Sequence, residues 1–445
     1  MFEFGFAKED ITPVRGVPLC GYFNPRPNKG MKDPLSVKAA AFRSNGETAV
    51  IVSYDLCFIV RSTIEKIKEA AKAAGIDCID RVLFSCTHTH TGPYTTMCFS
   101  DETDEEYMKD VIAKSVNAIK KALASLAPAE LYGTQTECTT LAYNRRYWMK
   151  DGSVLTNPGK LNPNIDRPAG AMDPSMPILA VKQDGFYRLI MTNIVNHTDT
   201  IGGDYVSADW PGRMESEIQF RLGYDIPVMT IIGCQGNINH FDVGTDADQT
   251  SYAEATRIGK GYAAVILQSL YKLNKIDFSG IKVAAEELEV PFRQVSDEDY
   301  EAAKKVYEAN KDAVMEDGRD FTSEDIAKKH PYVLKYFAER LMSCRDHRHT
   351  EKRVEMMMMI KFGDKIGIVS LPCEPFVEIG LGIKEASPFP FTFVAGLSMG
   401  EVGYVGRTVN YQHGNSAYET APDANQADVT VGESLLALGR KMIAE

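Results

Sequence analysis

The segment Thr87-His88-Thr89-His90-Thr91-Gly92-Pro93 follows an apolar, β-prone run, Arg81-Val82-Leu83-Phe84-Ser85-Cys86. Alternate side chains of a strand share a face. A strand that persisted would therefore point Cys86, His88 and His90 the same way, and Gly92-Pro93 would end it. Two imidazoles on one face can bind a metal together, or divide metal binding from proton transfer. The plain alternative is a pair of hydrogen-bonded loop histidines with no chemistry. Three further polar groups fall just past predicted buried strands: His197, the loop 236–242, and Glu374 in Pro372-Cys373-Glu374-Pro375. Strand C-termini of an α/β sheet gather on one edge, where sites are built. Two histidines from separate strands plus one carboxylate is a common ligand set for a catalytic zinc, which keeps one position open for water.

Such groups need a framework, and the hydrophobic pattern supplies one. Strands are predicted at about 37–42 and 49–54 around Asn45-Gly46, and at about 178–183 and 188–195 around Asp184-Gly185. Pro227–Ile232 is fully apolar; strands at 355–362, 366–371 and 391–397 follow, with Met356–Met359 reading as core. Ser62 with Glu65 and Thr103 with Glu106 read as capping boxes. The second opens an amphipathic helix whose apolar positions are Met108, Val111, Ile112, Val116, Ile119, Leu123 and Leu126. Asp209 is a fair N-cap for a helix over about 210–222, and another helix spans about 251–271. The alternation predicts an α/β fold, a mixed sheet flanked by helices, as one domain over 1–445. Residues 297–350 are helical and charge-rich: an insertion or lid, or more plainly a solvated helical pair. Asp55, just past a strand, holds a site-like position.

Composition narrows the partners. Lys and Arg number 49 against 61 Asp and Glu, a formal charge of −12 over 445 residues, which gives no general attraction to nucleic acid or anionic membrane. No apolar stretch reaches membrane-span length, and the start lacks a basic region followed by an apolar one. The nine cysteines are odd in number, scattered, and form no C-x-x-C, which fits reduced thiols. The expectation is a cytoplasmic protein acting on a small molecule.

Taken in order, these motifs resemble the catalytic domain of the neutral ceramidases, zinc amidases that cleave the fatty-acyl amide of ceramide. The resemblance runs from Asp10-Ile-Thr-Pro13 and Gly21-Tyr22 through Thr87–Pro93. Asn144-Arg145 is similar to the family's Asn-Arg-Ser, and Gly236-Asn-Ile-Asn-His240 to its Gly-Asp-Val-Ser-Pro. Pro372-Cys-Glu374 is similar to its Pro-Gly-Glu, and Gly396-Leu-Ser with Tyr404-Val405 to its late tyrosine segment. The resemblance implies His88, His197, Glu374 and Tyr404 as metal ligands and His90 as a proton-transfer group. It implies that Arg145 and Tyr418 hold the scissile group or its oxyanion. Two departures stand out: the family's serine aligns with Asn239 and its aspartate with Asn237, and the family's C-terminal β-sandwich and leader have no counterpart. An amide cannot serve as base or activated nucleophile, though it can donate a hydrogen bond to an oxyanion.

The expected function is therefore zinc-dependent hydrolysis of an amide or related acyl bond by metal-activated water, with ceramide itself a poor substrate. His90 is expected to move the proton, and Arg145, Asn239 and Tyr418 to orient the substrate, with Asn239 near the metal. The rivals are a non-catalytic binding protein whose metal is closed off by a ligand such as Cys86, and a Cys–His hydrolase using Cys86, Cys234 or Cys373.

Overall fold

Asn45 and Gly46 take positive φ, 53° and 82°, as do Asp184 and Gly185, 52° and 81°. These turns match the right-handed twist of the strands they join. They fold Ser36–Ser44 against Glu47–Tyr54 and Ser175–Gln183 against Phe186–Ile194, both antiparallel. The computed structural model describes residues 1–22, 26–96, 103–316, 321, 325–326, 328–347, 353–412, 417–421 and 425–445. Cys98 lies outside them.

Three mixed sheets carry the fold, each with one parallel pair joined by a helical crossover. In the first, Glu47–Tyr54 passes through the helix Arg61–Ala73 to the parallel strand Val82–Cys86. In the second, Phe186–Ile194 passes through Asp209–Leu222 to Val228–Ile232. In the third, Ile366–Ser370 passes through Val377–Ala386 to Phe391–Ala395. The sheets meet in one core that includes Val52 and Phe84 of the first, Leu179 and Ile231 of the second, and Ile360 and Phe393 of the third. Helices close the outer faces: Trp210, Met214, Tyr262 and Ile266 over the second sheet, and Ile379, Ile383 and Leu435 over the third. This is the α/β arrangement of mixed sheets flanked by helices that the pattern predicts. Among the described residues no helix is long and apolar enough to cross a membrane.

The methionine run is core. In the strand Arg353–Phe362, Met358 faces the central core while Met357 and Met359 face the cluster under the C-terminal helices, as a period of two requires. Several helix starts differ from expectation. Asp104, not Thr103, caps Glu105–Ala124, its carboxylate accepting from Tyr107 N. Ser62 lies inside the first turn of Arg61–Ala73, which has no side-chain cap. Asp209 is the first residue of its helix, with φ of 54°; its carboxylate accepts from Thr200 N and Ile201 N, both at 2.9 Å. Those bonds tie the segment after His197 to the helix, and burial pushes the Asp209 pKa up to about 6. Asp55 is also structural. It accepts from Ser36 N and Ser36 Oγ and lies under Thr87, fastening strand ends together.

Candidate functional site

Each crossover delivers one polar group to the same place. The strand Val82–Cys86 stops at Cys86, so His88 and His90 do not meet by sharing a strand face. The chain instead leaves the sheet with Thr87 N donating to Tyr54 O and His88 N to Leu56 O. His88 adopts φ of 66°, a conformation L-residues rarely take, and that turn swings its ring inward. Cys86 stays in the core. His197 follows Phe186–Ile194, and Glu374 follows Ile366–Ser370 on a two-residue strand paired in parallel with Tyr404–Val405.

His88 Nε2 lies 3.1 Å from His197 Nε2 and 3.1 Å from Glu374 Oε2, and His197 Nε2 lies 3.5 Å from the same oxygen. All three side chains are buried. The Nδ1 of His88 faces Cys57 O at 2.8 Å, and that of His197 faces Gln235 O at 3.2 Å. A carbonyl only accepts, so each Nδ1 carries the hydrogen, and a neutral ring then presents its Nε2 lone pair to the group. Glu374 Oε2 finds no hydrogen-bond donor among the described residues. Two lone pairs and a carboxylate oxygen at such separations repel unless a positive charge lies among them. A tetrahedral ion bound at about 2.0–2.1 Å holds its ligand atoms about 3.3 Å apart, so the donor set and its spacing fit a divalent cation. Burial, then the charge of Arg145, drives the His197 pKa well below its ordinary value and keeps the ring neutral.

The other expected site residues surround this group. His90 Nε2 is 3.2 Å from His88 Nε2, and its Nδ1 is within ion-pair distance, 3.4 Å, of Asp199 Oδ1. Asp199 in turn accepts from the Tyr22 hydroxyl at 2.8 Å. Burial pushes the His90 pKa down to about 4, against the pull of Asp199. Gly21 makes this packing possible, since its φ is 100° and a Cβ there would lie 2.6 Å from the His90 Cβ. Arg145 is clamped: Nε lies 2.6 Å from Glu419 Oε1 and Nη2 donates to Gly236 O at 2.8 Å. Its guanidinium also stands 5.2 Å from the centre of the Tyr404 ring. Tyr404 and Tyr418 rings meet edge to face at 5.5 Å.

Asn239 does not take the expected place. Its amide donates to Asn157 Oδ1 at 3.1 Å, and its oxygen accepts from Phe241 N, a turn closure. Like His197 and Arg145, it is not among the described residues lining the site cavity. Asn237 is likewise structural, accepting from Val377 N at the start of the following helix and donating to Glu378. The cysteines of the rival hydrolase fail too. Cys86, Cys234 and Cys373 are buried, none lines the cavity, and burial raises all three pKa values. Cys57 was not singled out in the sequence, yet its Sγ lies 3.5 Å from His88 Nδ1 and it lines the cavity. Asp199 and Glu401 were also missed. Glu401 lines the cavity, and burial, then the charge of Glu374, pushes its pKa up to about 7.

The cavity, about 810 Å³, opens onto His88, His90, Glu374, Tyr404 and Tyr418. Part of its wall comes from the helix Pro331–His347, inside the charge-rich segment that reads from sequence as a solvated pair. This helix also packs on Asp297–Asn310.

Three crossovers that bring His88, His197 and Glu374 together, His88 and Glu374 lining a cavity, define an α/β protein with a candidate metal centre. Compared with solved structures, the chain has a neutral ceramidase-like fold. It is similar to the neutral ceramidase of Pseudomonas aeruginosa, with a TM-score of 0.73 and 17% identity over 100% of this chain and 74% of that one. It is equally similar to a ceramidase complexed with C2, with a TM-score of 0.73 and 15% identity over 100% of this chain and 75% of that one. No protein-family model matches the chain, and no curated protein matches it.

Proposed function

We propose that this protein is a zinc-dependent hydrolase of an amide or related acyl bond, cytoplasmic, with a small molecule other than ceramide as its substrate. The observation that carries the reading is the meeting of His88 Nε2, His197 Nε2 and Glu374 Oε2 within 3.1–3.5 Å at an open cavity. His88, His197 and Glu374 would hold the ion, with Tyr404 beside Glu374 as a fourth ligand. A divalent zinc bound there supplies Lewis-acid polarisation of a carbonyl and lowers the pKa of water toward neutrality.

The chain's own groups do the rest. His90, neutral at pH 7, accepts a proton at Nε2 while Asp199 steadies its other face. Arg145, immobilised by Glu419 and the Gly236 carbonyl, keeps a fixed positive charge next to Tyr404. Tyr418, on the cavity wall, orients the scissile carbonyl together with Arg145. All cysteines among the described residues are free thiols, in keeping with a reducing compartment.

A second reading, a binding protein without turnover, draws on Asn239, whose amide is tied into a turn where the resembling family carries serine. The test is a panel of short polar acyl amides and esters, with long-chain ceramide, assayed with and without chelator. Chelator-sensitive turnover of a short polar member supports hydrolysis. Metal binding with no turnover of any member favours the second reading, and efficient ceramide cleavage contradicts the substrate assignment.

A further inference from the structure

The helix Pro331–His347 presents Tyr332, Tyr336, Glu339, Arg340 and Ser343 to the cavity, spaced as a single helical face. Val333, elsewhere on the helix, packs into an apolar cluster with Met315 and Phe321, which Tyr332 and Tyr336 of the stripe also flank. The cavity-facing stripe therefore holds no aliphatic side chain. Among the described lining residues, Phe58, Val60 and Val402 are the hydrocarbon side chains. A long acyl chain gains about 0.8 kcal/mol per buried methylene where an apolar wall receives it; among the described lining residues it would meet only these three side chains and four tyrosine rings that end in hydroxyls.

Charge sharpens the picture. Arg340 and Arg353 line the cavity with Glu339, Glu374 and Glu401. Among the described lining residues, with a divalent ion held by the histidines and Glu374, the two guanidiniums and the ion outweigh the three carboxylates by one unit. Arg353 is braced against the protein, its Nη2 donating to Glu401 O at 2.9 Å. Arg340 lies over the Tyr336 ring, 5.7 Å from its centre, one helical turn away. A guanidinium laid along an aromatic face presents a planar fork that suits a carboxylate.

We propose that Arg340 anchors a carboxylate on the substrate, so that the substrate is a short acyl amide or ester ending in a carboxylate rather than a lipid. This rests on the metal-hydrolase reading and names its substrate class. The probes are glutaric acid monohydroxamate, neutral pentanohydroxamate and dodecanohydroxamate, each titrated calorimetrically into zinc-loaded protein. Hydroxamates grip the metal, and only their tails differ. The anionic probe should bind about tenfold tighter than its neutral counterpart, as a charge-assisted contact allows. That ratio should fall to about one in Arg340→Met and be partly kept in Arg340→Lys. Equal binding of the two short probes by wild-type protein, or tightest binding of the dodecyl probe, overturns the carboxylate anchor and leaves the metal site standing. Failure to load zinc, or failure of loaded protein to bind any hydroxamate, overturns the metal reading and this proposal with it. The wild-type ratio decides the matter even if Arg340→Met does not fold.

Discussion

Gly236 and Glu374 meet backbone to backbone: a Cβ at Gly236 would strike the Glu374 carbonyl oxygen and come within 3.0 Å of that of Pro375. Gly236 N donates to Pro375 O at 2.9 Å, and Gly236 O accepts from Arg145. The loop after Val228–Ile232 is thus seated on the strand that carries the candidate ligand. The close approach at Gly236 is to this chain's own backbone, and at Gly233 to the Val195 side chain. Gly236→Ala should cost about 1–3 kcal/mol by overpacking and displace Glu374. Urea unfolding with and without zinc should show both a lower midpoint and a smaller zinc-dependent gain. Unchanged stability and zinc response would mean that the contact does not hold Glu374 in place.

Asn239→Ala separates a turn role from a catalytic one. With both ends of its amide used by Asn157 and Phe241 N, the substitution should lower stability by about 1 kcal/mol. Turnover per folded molecule should stay near wild type. A hundredfold loss of turnover in well-folded variant would return Asn239 to the reacting groups.

Glu355 gives a pH prediction. Burial, opposed by Arg353, pushes its pKa from 4.5 up to about 7. The folded state then binds more protons than the unfolded state between those values. The stability it contributes is present below pH 4.5 and is lost as pH rises through 7. Glu355→Gln should therefore remove a decline on the order of 2 kcal/mol between pH 5 and pH 8. Urea midpoints across that range are the check; parallel wild-type and variant profiles would contradict it.

What could be read from sequence followed from periodicity and turn chemistry. The two hairpins, the buried methionine strand and the placement of His88, His197 and Glu374 beyond strand ends needed only alternation and Asn-Gly or Asp-Gly signals. What could not be read depends on contacts far apart in the chain. The left-handed turn at His88 is set by Leu56, and the clamp on Arg145 by Glu419. Asn239 carried no local sign that Asn157 would claim its amide. The helix Pro331–His347 looked solvated because its cavity-facing stripe is polar, and a polar stripe on a ligand cavity has the same pattern as one facing water.

The central claim is that His88, His197 and Glu374 hold one divalent ion. The most direct measurement is calorimetric zinc titration of chelator-stripped protein, wild type beside His88→Ala and Glu374→Ala, with circular dichroism to establish that each is folded. The account predicts one tightly bound ion per wild-type chain and loss of most of that binding in both variants, since each removes a ligand atom. Folded wild-type protein that takes up no zinc, or variants that bind it as tightly as wild type, would contradict it.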